Sequence, residues 1–160
     1  SKAESRRSIY TFWKRTAHSP TLAIFDAPNR EICIMRRERT NTPLQALVMM
    51  NDPQFVRAAR YLAKRVLEEA QDRDERFDLI ATLLRGHPLT AGERQVVTNS
   101  FDQFRNIYES DEAAAALLLV DESNPAFSIP AEEVGSVPEF AAYTMVANQL
   151  LNLDESLNKN

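Results

Sequence analysis

Three glycines, one cysteine and two histidines are all that this 160-residue chain holds of those types. Each scarcity excludes something. So little glycine leaves little room for tight hairpin turns or for a loop whose backbone cradles phosphate. A lone Cys33 closes no internal disulfide, so it does not report the redox compartment. Nor can it anchor haem, which needs two thiols at C-x-x-C-H spacing. His18 and His87 lie far apart with no paired spacing around either, so the pattern of a zinc site is missing too. There is no G-x-S-x-G elbow and no D-x-D-x-D-G loop. The longest apolar block, AAAALLLV at 113–120, falls well short of the roughly 18 residues that a membrane span needs. It suits a buried helix.

What is present is ordinary globular material: 44% hydrophobic and 26% charged residues, in a length that suffices for one domain with a core. The chain opens SKAES without an initiator Met, which suggests a fragment excised from a larger protein. Charge is uneven. Residues 1–39 carry nine Lys/Arg against four Asp/Glu, a balance of +5, and the rest carry ten against nineteen, a balance of −9. The plainest use of this asymmetry is a basic N-terminal segment docked on an acidic helical body. A nucleic-acid surface is the sharper use, but no recognised module accompanies the basic residues, and the pI of 5.3 argues against it.

Periodicity is mostly helical. The exceptions are IYTFW (9–13) and EICIM (31–35), short β-branched or aromatic runs that read as strands. They predict a β-ribbon or extended arm, with Cys33 as a buried, inert thiol. Thr42-Pro43-Leu44-Gln45 is a capping box with Pro at the first helical position. Asn51-Asp52-Pro53 stops that helix and caps the next, whose stripe is Phe55, Ala59, Leu62, Val66 and Ala70, widened by Ala63 and Leu67. Phe77, Ile80, Ala81 and Leu84 mark a third helix, ended by Gly86 and Pro88. Thr90 and Glu93 form a second box, opening a helix with Val97, Phe101, Phe104 and Tyr108 on one face. A short helix follows over Ala113 to Val120, then a loop over 121–137. Ser136 and Glu139 have the spacing of a third box, before a helix burying Phe140, Tyr143 or Thr144, Ala147 and Leu151.

These signals predict a mainly α fold: a bundle of five or six helices with a short N-terminal β-ribbon or extended arm. All 160 residues form one domain, with 1–41 as the basic extension and 42–160 as the helical body. Three stretches carry a resemblance: RRSIYTFWKR (6–15), FDAPNREICIMRRERTNTPLQALVMMND (25–52) and ANQLLNLDES (147–156). Together they look like the C-terminal part of a planctomycete domain of unknown function. LLRGHPLTAGE (83–93) is similar to a segment of the same family, where Arg is expected in place of His87. That family occurs in large exported proteins, often beside cytochrome-c-type modules. The resemblance implies an exported location, periplasmic or extracellular, and leaves room for haem elsewhere in the full-length protein, while the lone Cys33 and the unpaired histidines predict no cofactor or metal in this chain. It names no activity.

The densest chemistry lies in 25–53. Asp26, Arg36, Arg37, Arg39, Asn41 and Gln45 are the candidate ligand-binding residues, because arginine forks match carboxylates and phosphates and the helix start at Thr42 adds its positive end. The same residues also serve as structural staples, with Thr42 and Gln45 explained as a capping box and Asp26 pairing with an arginine. The stapling use is favoured. His87 sits in a helix-ending turn, where bonding to nearby carbonyls is its plainest role. Carboxylate pairs such as Glu68-Glu69 are adjacent in sequence and do not face one another on a helix. No complete catalytic set is present. The function expected is a non-catalytic accessory or interaction module whose partners are other domains of the same polypeptide. The alternative is the C-terminal part of an enzyme whose active site lies mainly upstream, with the Arg36–Arg39 segment holding an anion.

Overall fold

Asp52, Asp72, Thr90, Asp111 and Ser136 each stand one residue ahead of a helix and accept a backbone N–H from its first turn. A helix start leaves such donors without intrahelical partners, and a short polar side chain supplies the acceptor. The computed structural model describes residues 10, 12, 19–28, 33, 35, 36, 40–121 and 136–157. The helices are α1 (Pro20–Ile24), α2 (Pro43–Asn51), α3 (Pro53–Glu69), α4 (Arg73–Arg85), α5 (Ala91–Ser110), α6 (Glu112–Leu119), α7 (Val137–Leu151) and α8 (Asp154–Leu157). The mainly α fold is as expected, with α2 to α7 as the six principal helices. No helix among the described residues is long and apolar enough to cross a membrane.

Of the strand-like runs 9–13 and 31–35, only Tyr10, Phe12, Cys33 and Met35 are described. None of the four lies in a strand. Cys33 is exposed, not buried as its apolar neighbours suggested. An apolar run states which residues can be covered, but not that another layer covers them.

The chain divides into two compact units, residues 1–48 and 49–160, with the boundary inside α2. In the described part of the first, α1 leads through Phe25 into a turn where Asp26 adopts φ +56°, the one non-glycine with positive φ among the described residues. Asp tolerates that left-handed conformation better than most side chains.

The second unit holds a continuous core. It draws Ala59, Ala63, Val66 and Leu67 from α3, Phe77, Ile80 and Ala81 from α4, Val97 and Phe101 from α5, and Ala115 and Leu119 from α6. All four of these helices pack on α7. The single buried stripe expected of α7 is therefore too narrow: Tyr143 and Thr144 are both buried, as are Ala141, Ala142 and Val146, while Leu151 is only half-buried. Phe77, Phe101 and Tyr143 meet at the centre, with centroids 4.6 to 5.8 Å apart and rings inclined to one another, the geometry that ring quadrupoles favour. At the front of α7, Ser136 accepts from Glu139 N at 3.4 Å. The Glu139 carboxylate turns instead to Arg76 of α4, at 3.1 Å, so its reach goes into a helix–helix tie.

Candidate functional site

Two polar clusters stand out, one in each unit. In the first, the structure brings Asp26 and Gln45 together. Thr40 donates to Asp26 Oδ2 twice, from its backbone N at 2.8 Å and from its hydroxyl at 2.7 Å. Gln45 Nε2 donates to Ile24 O at 2.8 Å and Thr40 Oγ1 at 2.9 Å, and lies 3.3 Å from Asp26 Oδ2. Gln45 Oε1 accepts from Thr42 N at 3.0 Å, while Thr42 Oγ1 accepts from Gln45 N at 3.3 Å, so the capping box forms. Gln45 is only 2% exposed.

One amide thus caps α2 and holds the end of α1 to the segment entering α2. Both amide hydrogens and the carbonyl oxygen are engaged, and the carboxylate already accepts from its neighbours. What these two side chains can do chemically is clamp the chain. Arg36 and Asn41 are exposed. Arg37 and Arg39, the remaining predicted site residues, lie outside the described residues.

The second cluster surrounds the α4–α5 turn. Gly86 ends α4 at φ +92°, a left-handed C-cap suited to a residue without Cβ. Asp78 accepts from Leu89 N at 3.1 Å and from Arg94 Nη2 at 2.8 and 2.7 Å, fastening both the turn and the start of α5 to α4. Thr90 and Glu93 form the expected box. Arg85 Nη1 donates to Glu93 at 2.6 Å and to Glu155 of α8 at 3.0 Å. The hydrogen bond from Arg85, followed by those from Thr90, brings the Glu93 carboxyl down to about 2.

His87 bonds through both ring nitrogens. Nδ1 lies 3.1 Å from Pro88 O and Nε2 2.8 Å from Glu155 Oε1. Bonding two oxygen acceptors at once requires both nitrogens to carry hydrogen, as only the imidazolium does. Consistently, the Glu155 bond first, and the Pro88 carbonyl next, raise the His87 pKa above its usual value. The turn role expected for His87 is present, and Glu155 adds a partner 68 residues away.

Sequence reasoning missed Arg85 and Glu155 as partners, and Asp78 with Arg94. Arg85 had one legible signal, a basic residue in the last helical turn, which suits the negative end of the dipole. Nothing in spacing could have linked it to Glu155. Elsewhere, Arg57 Nε lies 3.2 Å from the buried Asp121, and Arg76 stacks over the Tyr143 ring at 5.4 Å. Among the described residues, no group of three or more His, Cys, Asp and Glu side chains is placed to hold a metal ion.

Residues 1–101 match the family PSD1, described as a protein of unknown function (DUF1553). The ANQLLNLDES stretch lies beyond the matched residues. Neither a curated protein nor a solved structure matches the chain.

Proposed function

Since the chain belongs to this family of unknown function, DUF1553, we propose that it is a non-catalytic accessory or interaction module of a larger exported protein. The observation that carries this reading is the set of bonds that joins Ile24, Asp26, Thr40, Thr42 and Gln45. The Asp26 carboxylate and the Gln45 amide, which drew attention in the sequence, are engaged with their neighbours and hold the chain together. On α2, meanwhile, Leu44 and Leu47 are each about half exposed, at 53% and 58%. Their spacing of three puts them along one side of the helix, where they offer an apolar contact for another domain of the same polypeptide.

Two measurements test this. The purified 160-residue chain should turn over no glycan, sulfate ester or redox substrate, and any turnover rejects the reading. Mixed with the rest of its polypeptide, the chain should co-elute in size-exclusion chromatography, and L44E with L47E should abolish co-elution. Unchanged co-elution of that double variant removes α2 as the contact.

The second reading is a C-terminal part of an enzyme whose active site lies upstream, with Arg36 to Arg39 holding an anion. It is favoured by the exposure of Arg36 and by the basic balance of residues 1–39. Arg36→Ala with Arg37→Ala in the full-length protein should then lower activity and sulfate or phosphate affinity while leaving the melting temperature in place. A loss of stability with activity intact rejects it.

A further inference from the structure

The short helix α8 has little apolar contact to hold it. Asp154 and Glu155 are exposed, Ser156 is half-buried, and the core cluster ends at Leu150. Its ties to the body are polar. Ser156 Oγ donates to Leu150 O at 2.7 Å. The Glu155 carboxylate reaches the α4–α5 turn, where Oε2 accepts from Arg85 Nη1 at 3.0 Å and Oε1 lies 2.8 Å from His87 Nε2. An element with few buried contacts is where a fold opens first.

At this tie the charges balance only while His87 carries its second proton. Arg85 of α4 and the imidazolium then face Glu155 of α8 and Glu93 of α5, whose Oε1 accepts from the same Arg85 Nη1 at 2.6 Å. Asp154 adds a negative charge beside Glu155, and α7 carries no charged residue after Glu139. Arg85 serves both carboxylates through one nitrogen, since its Nε and Nη2 are buried without hydrogen-bond partners. Neither carboxylate therefore has the two-pronged grip that a guanidinium can give. With His87 neutral, two carboxylates share that one nitrogen. Glu93 is also fixed by the Thr90 backbone N–H and hydroxyl, each at 2.8 Å. Among the described residues Glu155 has only Arg85 and His87. Glu155 is the one to let go.

We propose that α8 is a strap fastened by the proton on His87: with the proton in place it lies against the α4–α5 turn, and loss of the proton loosens it while Glu93 keeps Arg85. The His87 pKa is raised, first by the bond to Glu155. That bond in turn lowers Glu155, and Glu93 is brought down to about 2. Both carboxylates thus stay charged near neutrality, and His87 is the group that changes. Fastening is complete below 6.5 and fades as the pH rises through the higher folded value.

The test follows two NMR signals of the 160-residue chain: the Cα shifts of residues 154–157, which report the helical population of α8, and the His87 ring protons. Between about pH 6 and about pH 8.5 the non-helical population should rise about two- to five-fold, the range expected of an exposed ion pair. It should share the ring's midpoint, while the Cα shifts of α5 and α7 stay in place. H87Q keeps a donor without a charge, and should hold α8 at its high-pH population throughout. E93Q still completes the capping box, where Gln serves as Glu does. It leaves Arg85 to Glu155 alone, so it should shrink the pH response, which a role for His87 through its own bond only would leave unchanged. The proposal falls if residues 154–157 keep one helical population across the range, if their midpoint departs from that of the ring, if H87Q retains the response, or if E93Q leaves it undiminished.

Discussion

Gln45 shows how much one side chain can settle. Its amide bonds link residues 21 and 5 positions away while its carbonyl oxygen caps the helix it sits in. Gln45→Leu keeps the volume but leaves Ile24 O, Thr42 N and Thr40 Oγ1 short of partners. It should destabilise the fold by about 2 kcal/mol, read from the shift in a chemical denaturation midpoint. Gln45→Glu sets a carboxylate beside Asp26, so it should cost more stability at pH 7 than at pH 4, where one of the pair takes a proton.

His87 makes a second residue-scale case. Its folded-state pKa is raised above 6.5, chiefly by Glu155. The stabilisation is therefore complete below pH 6.5, where both states are protonated, and fades as the pH climbs through the higher folded value. A ring-proton titration by NMR should place the midpoint above 6.5 in the native chain and back toward 6.5 in E155Q. A native midpoint at or below 6.5 would show the bond to be absent in solution.

Helix boundaries matter most at the scale of elements. Pro43, Pro53, Gly86, Thr90 and Ser136 punctuate the chain where the spacing of polar and apolar residues demands, because caps and stops act within a turn of their own position. Gly86→Ala forces a Cβ into the left-handed region at φ +92° with no compensating contact nearby. It should cost about 1–2 kcal/mol, read from thermal or denaturant unfolding. What periodicity misjudged was α7. A helix whose residues are apolar nearly all round has no single face to read, and only the arrival of α3, α4, α5 and α6 around it decides that Tyr143 and Thr144 are buried together.

For the molecule as a whole, the buried cluster lies entirely within residues 59–150. The slowest amide hydrogen exchange should accordingly fall in α7 and in the facing turns of α3, α4 and α5, with the amides of α1 exchanging much faster. Phe77→Ala empties a position that touches both Phe101 and Tyr143, and should lower stability by about 3–5 kcal/mol. Equal protection across both units, or a Phe77→Ala cost under about 1 kcal/mol, would place the core elsewhere.

Locally determined features were open to reading from the sequence: the helical class, the capping boxes at Thr42 and Thr90, the Asp52 cap, the stripe of α3 and the stop at Gly86. Each depends on residues within a few positions of one another, so spacing carries the information. The tertiary structure alone decided which distant groups meet. Asp26 faces Thr40 and Gln45, Arg76 reaches Glu139, and Arg85 collects Glu93 and Glu155. It also left Cys33 exposed and two Arg85 nitrogens without partners. Burial and pairing across tens of residues depend on how helices pack, and the order of residues along one helix does not encode which neighbour will cover it.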